Sequence, residues 1–325
     1  MNYPRRALIV LAVILFVAPA ASAQQKTYRI GYILSTQSQL GVGATVFAAE
    51  VAKQTAGKIK IEQQPNAALG GEVEMLSGLQ LGTVDFAFIT GAPLPNIIPE
   101  VGVFNIPFLF RDLAHAQTVL DSPLGRVYLD KFKDKGMIAL AWGENGMRHI
   151  TNSKRPIAAP EDIKGLRLRL PQSDVMLSGF KVLGADAVSL PFPQVYGALQ
   201  SGQIDAQENP ISTIVSAKFF QVQKYLSLTG HVYDPAVILV SKDTWDELTG
   251  TEQAALLEAA KAGAKASRDF NALHEKAGVE YLRGQGMEVV DQVDRAQFMD
   301  AILPAHSEFE KRFGAAVIKQ IQDMN

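Results

Sequence analysis

GLRLRLPQSD at residues 165–174 and LQSGQIDAQENP at 199–210 flank a helix-length segment, and their reading decides the fold. Residues 166–170 predict a short strand that Pro171 stops, with Arg169 aimed away from the apolar faces of its neighbours. Downstream, Gly202 ends a helix, a short strand follows, and Asn209-Pro210 closes it. An arginine held at a strand end is a natural clamp for a carboxylate, being a planar, permanently charged fork that makes two parallel hydrogen bonds. Taken alone, Arg169 is equally able to pair with a structural Asp or Glu of its own chain.

Working outward, strand-like runs alternate with helical ones. Strands are expected at 28–34, 59–64, 86–89, 137–142, 167–170 and 236–240, with helices at 43–55, 72–81, 123–135, 174–183 and 195–201. This alternation predicts an α/β architecture with mostly parallel sheets flanked by helices. LQLGTVD at 79–85 and LQSGQID at 199–205 form a weak internal repeat: helix end, Gly, β-branched residue, Asp, strand. The strands that follow should end near Thr90 and Asn209, and ligands of open α/β sheets sit beyond strand carboxyl ends. Two lobes facing each other across a cleft are the natural consequence. A helical pattern from Thr251 to about Arg283 is long enough to lie along both lobes and couple them.

The amino-terminal MNYPRRALIVLAVILFVAPAASAQQ has the layout of a secretory signal: Arg5 and Arg6, an apolar run over 7–17, and Ala21-Ser22-Ala23 before Gln24. The run falls short of the ~20 residues that span a bilayer, so cleavage is expected and residues 24–325 form the exported chain. Losing the two arginines takes the formal charge from −2 to −4 and leaves no basic cluster, which makes nucleic acid and acidic membrane surfaces poor partners. With no cysteine in the chain, an exported protein must be held by its core. About 300 residues can supply one, and exceed what a single core comfortably supports.

Several chemistries find no support. The five histidines are scattered, no HExxH or paired metal-ligand spacing occurs, and there is no GxSxG elbow or phosphate loop. Gly41-Val42-Gly43 lacks a third glycine in register. No cofactor or metal is expected, and the chain reads as a binder and not an enzyme.

A set of motifs now adds to this reading: PNAALGGEVEMLSGLQLGTVDFA at 65–87, ENGMRHITNSKRPI at 144–157, APEDIKGLRLRLPQSD at 159–174, VLGADAVSLPFPQVYGALQSGQIDAQENP at 182–210, and Gly230-His231-Val232-Tyr233. Across essentially the whole exported chain they resemble the periplasmic solute-binding subunit of tripartite ATP-independent periplasmic (TRAP) transporters, of the C4-dicarboxylate-binding type. The resemblance implies a two-lobed periplasmic binding protein that closes on a small organic acid, works as a monomer and delivers its ligand to membrane permease subunits. It implies lobe I at 24–146 plus 235–276, lobe II at 147–234 plus 277–302, and a helix at 303–325 packing on lobe I. Arg169 then takes the position of the ligand salt bridge, Arg148 a supporting arginine, Asn209 a hydrogen-bonding asparagine, Phe192 a cleft aromatic and Glu72 a polar contact from lobe I. Arg167 is read as surface-directed. Departures from the family pattern occur at 35–39, where a His-Pro-like pair is replaced, and at Thr90, where sialic-acid-type members carry glutamate.

Gln37, Ser38, Thr90, Gln172 and Asn209 are expected to serve ligand hydroxyls, and Trp142 and Phe192 to offer apolar faces. Asp174 is read as a helix N-cap. Sugar acids (uronates or aldonates) are the favoured ligands, with C4-dicarboxylates next. A sensory receptor for a membrane histidine kinase would have the same fold and differ only in its partner. An exported α/β enzyme is the remaining alternative.

Overall fold

The structure, a computed structural model, describes residues 25–324, so the expected signal segment at 1–23 lies outside the described residues. The strands are β1 (Lys26–Gly31), β2 (Ile59–Gln64), β3 (Phe86–Thr90), β4 (Met137–Asn152), β5 (Arg167–Leu170), β6 (Asp186–Ser189), β7 (Ala206–Pro210), β8 (Tyr225–Ser241) and β9 (Glu288–Val290). The helices are α1 (Gln39–Gln54), α2 (Glu72–Gln80), α3 (Leu113–Asp121), α4 (Pro123–Asp130), α5 (Asp174–Val182) and α6 (Phe192–Gln200). They continue with α7 (Ile211–Ser216), α8 (Lys242–Asp246), α9 (Gly250–Gly284), α10 (Arg295–Phe313) and α11 (Ala315–Asp323).

All nine strands join one sheet in the order β2-β1-β3-β8-β4-β7-β5-β6, with β9 added on β8. The β1–β2, β1–β3, β5–β6, β5–β7 and β8–β9 pairs are parallel. Every antiparallel pairing involves β4 or β8. These two strands, 16 and 17 residues long, run through both lobes. β3 pairs with β8 at 236–240, while β7 pairs with β4 at 148–152.

Only 137–142 and 236–240 of these long strands are expected from sequence. The remainder is extended yet lacks apolar alternation, because polar side chains are buried among its apolar ones: Glu144, Asn145, Arg148, His149, Thr229, His231 and Asp234. The β4–β8 pairing shifts register after Ala139, Glu144 and Arg148, and Gly146 takes φ +130° between the lobes. Such irregularities bend a strand and re-aim its side chains.

The repeated corner is real in conformation. Gly82 and Gly202 both take φ +70° just past a helix end, with amides returned to Leu79 O and Leu199 O. Beyond them β3 and β7 run toward the same place. Helix α9 covers 35 residues and carries the capping box Thr249/Glu252. It packs on α1 from one lobe, on α7 from the other and on β4 between them. The main core fills the space around β1, β3, β4 and β8, and a second apolar cluster including Val195, Ile211, Phe219 and Leu282 lies under α6, α7 and the end of α9. Among the described residues no helix is long and apolar enough to cross a membrane.

Two local expectations change. The helix expected from residue 43 starts at Gln39, because Ser38 caps it: its Oγ accepts from Gly41 N at 3.1 Å. Ser173, not Asp174, caps α5, and Asp174 occupies the first helical position. The expected helix at 303–325 is two helices parted at Gly314, φ +87°; α10 rests on α5, and the end of α11 is held by Arg111 and His115.

Candidate functional site

The carboxyl ends of β3 and β7, the middle of β4 and the end of β5 converge on one narrow cleft with room for little more than a water molecule. Its walls include Glu72, Thr90, Arg148, Arg169, Phe192 and Asn209, and also Asn145, Pro171 and Thr213. Six of the ten residues expected at a site are thus brought together, from segments more than a hundred positions apart.

Arg169 is 2% exposed. Its Nε and Nη2 both donate to Leu190 O, at 2.8 and 2.6 Å, and it forms no ion pair among the described residues. Burial pulls its pKa down to about 10, opposed by Glu208 and Glu72, while nearby Arg148 works in the same direction as burial. The guanidinium therefore stays charged at neutral pH, desolvated and without a carboxylate of its own.

Arg148 is the opposite case. Its Nε donates to Glu208 Oε2 at 2.5 Å, Nη1 to Asp234 Oδ2 at 2.7 Å, and Nη2 to Glu208 O and Oε1 at 2.8 Å. Burial opposes its charge, but the two carboxylates outweigh it and hold its pKa above the ordinary arginine value. Nη2 also reaches Asn209 Oδ1 at 3.3 Å, and Asn209 Nδ2 donates to Gln207 Oε1 at 2.6 Å. Arg148 is thereby a fixed post that sets Asn209 in place.

Beneath it, His231 Nε2 lies 3.0 Å from Glu208 Oε2, and burial lowers the pKa of that imidazole. Asn145 Nδ2 donates to Asp234 Oδ2 at 2.7 Å, and Gln39 Nε2 bridges Asn145 Oδ1 and Thr213 Oγ1 at 2.7 and 2.9 Å. On the opposite wall Thr90 donates twice to Glu72, from N to Oε1 at 2.7 Å and from Oγ1 to Oε2 at 3.0 Å. Burial raises the Glu72 carboxyl to about 7 even though those bonds favour its anion. Phe192 stands at the cleft edge with its ring 6.0 Å from that of Phe219.

Four expected residues lie elsewhere. Trp142 is packed edge-on against Phe104 with its indole N–H on Gly125 O, on a strand position that faces the core. Ser38 is occupied as a helix cap, Gln37 lines a separate groove beside α7 and α9, and Gln172 accepts from Asn96 Nδ2 through its backbone carbonyl. Arg167 points outward and forks onto Asp205 at 2.7 and 2.9 Å. Glu208, Asp234, Asn145, Gln39 and Thr213 were not expected. Asn145 and Glu208 do fall inside quoted motifs, but a carboxylate or amide in a polar run gives no sign of burial.

The arrangement is a permanently charged donor, amide groups and a threonine hydroxyl around a small space lined mostly by polar residues, on strand ends contributed by two lobes. It has no nucleophile–base pair, and no cluster able to hold a metal ion occurs among the described residues. Such a site binds an anion with hydrogen-bonding substituents.

Comparison with known proteins agrees. A family profile described as bacterial extracellular solute-binding protein, family 7 (DctP), matches residues 30–312. A TRAP periplasmic solute-binding protein from Polaromonas sp. JS666, bound to D-erythronate, superposes with a TM-score of 0.92 at 44% identity, covering 93% of this chain and 99% of that one. One from Bordetella bronchispeptica, with density assigned to pantoate, gives 0.91 at 47% identity, covering 93% and 100%. The 2,3-diketo-L-gulonate-binding periplasmic protein YiaO of Escherichia coli is 35% identical over 296 residues, 91% of this chain and 90% of that protein. The chain belongs to the family 7 (DctP) extracellular solute-binding proteins, the solute receptors of TRAP transport.

Proposed function

We propose that this protein captures a small hydroxylated carboxylic acid, a sugar acid in the first place, between its lobes in the periplasm and hands it, as a monomer, to TRAP permease subunits. The observation that carries the ligand class is Arg169: a buried guanidinium with no ion-pair partner among the described residues, where two strand ends meet. Leaving such a charge unpaired disfavours neutral ligands, so the site selects carboxylates. Asn209, Thr90 and Glu72 surround the remainder of the ligand and favour hydroxyl substituents over bare carbon. D-erythronate in the Polaromonas protein and the diketogulonate specificity in the name of the Escherichia coli protein support the same class. In this reading the lobes divide at 146/147, between the β4 register shifts after Glu144 and after Arg148, and at 234/235, opposite the first of them, and 1–23 is removed on export.

The test is a thermal-shift screen of residues 24–325, unfolded and refolded to strip carried ligand, against aldonates, uronates, succinate and matched neutral sugars. Sugar acids should stabilise the protein, by about 2.7 kcal/mol at a hundredfold excess over Kd, and neutral sugars should not. Arg169→Ala should weaken binding by about 2–5 kcal/mol. Stabilisation by neutral sugars alone, or Arg169→Ala binding as well as wild type, would sink the assignment. Recovering the bound acid unchanged separates a receptor from an enzyme.

A further inference from the structure

The cleft holds more negative charge than a receptor for anions should tolerate. Arg148 and Arg169 bring two positive charges; Glu208, Asp234 and Glu72 bring three carboxyls, all buried. Glu208 and Asp234 are ion-paired to Arg148 at 2.5 and 2.7 Å. Against burial, Arg148 holds Glu208 below the ordinary carboxylate value, and burial raises Asp234 against the pull of the same guanidinium. Glu72 alone has no cation within ion-pair distance among the described residues. It lines the same narrow space as Arg169, on the facing lobe. An arriving carboxylate places a further negative charge in a buried cavity where Coulomb forces are weakly screened.

We propose that Glu72 takes up a proton when the acid binds, so that the cleft captures an anion together with one proton from solvent. The reading rests on the carboxylate assignment to Arg169. The geometry provides for the change. Deprotonated Glu72 accepts from Thr90 N and from Thr90 Oγ1. With a proton on Oε2, the 3.0 Å Oε2···Oγ1 bond reverses direction, Thr90 Oγ1 becomes the acceptor, and its own hydroxyl proton is released to point at the ligand. The Thr90 N–H bond to Oε1 is untouched. One protonation thus removes a repelling charge and turns a spent donor toward the bound acid.

The charged groups that face Glu72 are Asp234 from β8, which favours protonation, and Arg169 from β5, which opposes it; β3 contributes Thr90, which is uncharged. The amino end of α2 favours an anion there, yet burial dominates and the group sits near 7. A neighbouring ligand carboxylate pushes it higher. Below pH 6 Glu72 is already protonated and binding moves few protons; above 7 each bound acid draws one in, and affinity should fall with rising pH by up to about tenfold per unit. A simple carboxylic acid is fully ionised throughout this range and contributes nothing to the slope.

The experiment is calorimetric titration with D-erythronate at pH 6, 7 and 8, at each pH in two buffers that hold it and differ in ionisation enthalpy, which reports the protons exchanged. Wild type should take up close to one proton per acid at pH 8 and few at pH 6; Glu72→Gln, which is fixed neutral, should take up none and show a flat pH profile. Thr90→Val removes one bond that favours the anion, so its uptake window should move to higher pH, and this arm decides if Glu72→Gln does not bind. Acid binding that is lost in Arg169→Ala yet moves no proton in wild type overturns the linkage alone. Undiminished uptake in Glu72→Gln overturns it also, by assigning the proton to another group. Failure of wild type to bind any acid overturns the carboxylate reading beneath it.

Discussion

Arg148 and Arg169 are the same residue type in the same cleft, and the chain uses them in opposite ways. Arg148 is saturated by Glu208 and Asp234, whereas Arg169 has only the carbonyl of Leu190. Removing one partner of a buried ion pair strands the other charge and costs about 3–5 kcal/mol. Glu208→Ala should therefore lose stability toward that order in urea unfolding, with Arg148 left to Asp234 alone and His231 without its carboxylate. Arg169→Ala removes a desolvated charge that no protein carboxylate balances, so the free protein should be at least as stable as wild type while acid binding collapses. Equal destabilisation by the two changes would show that Arg169 is a structural residue. Arg169 was legible in sequence because a strand register and a proline stop define where it points. Glu208 was not. It stands in a polar run, Gln207-Glu208-Asn209, and its burial and pairing depend on Arg148 of β4 and His231 of β8, 60 and 23 residues away.

At the scale of elements, α9 was legible almost to the residue from Thr251-Glu252 at its start and the glycines at 284 and 286, although the cap itself is Thr249, two positions earlier. What α9 does there is a tertiary matter. Gly263 lets it approach α1 so closely that a Cβ would lie 2.7 Å from Gly43 O and 2.9 Å from Phe47 Cβ; Gly43 is equally confined by Gly263 O. Gly263→Leu should force the helices apart and destabilise by about 1–3 kcal/mol, the usual range for overpacking. The same movement loosens Ser267 and Asn271, which hold Glu144 and Asn145 at the crossing between the lobes. Binding should consequently weaken along with stability. A Gly263→Leu protein with unchanged thermal midpoint would mean that the contact relaxes at no cost. The long strands β4 and β8 show the converse limit. Their crossing segments were invisible to hydrophobic periodicity because the hinge buries hydrogen-bonded polar side chains in place of an apolar stripe.

For the whole molecule, the two-lobed α/β plan followed from element alternation and length, and the cleft's place followed from the strand ends after Gly82 and Gly202. Whether the cleft stands open is a question of populations. With its walls as close as they are here, Arg169 is 2% exposed, and no carboxylate reaches it without the lobes parting. The free protein must accordingly visit a wider state about β4, β8 and α9, and an acid that touches both lobes draws the population back. Solution scattering should give refolded, ligand-free protein a larger radius of gyration than this structure has, falling toward it when a sugar acid is added. Arg169→Ala, lacking the lobe II anchor, should show no fall at the same acid concentration. A radius in the free protein already equal to that of this structure, unchanged by a saturating acid, would rule out opening as the route of entry. Ligand access would then have to come from local motion of the cleft walls off the strands, the turn at 33–34, Pro171 and Phe192 at the start of α6.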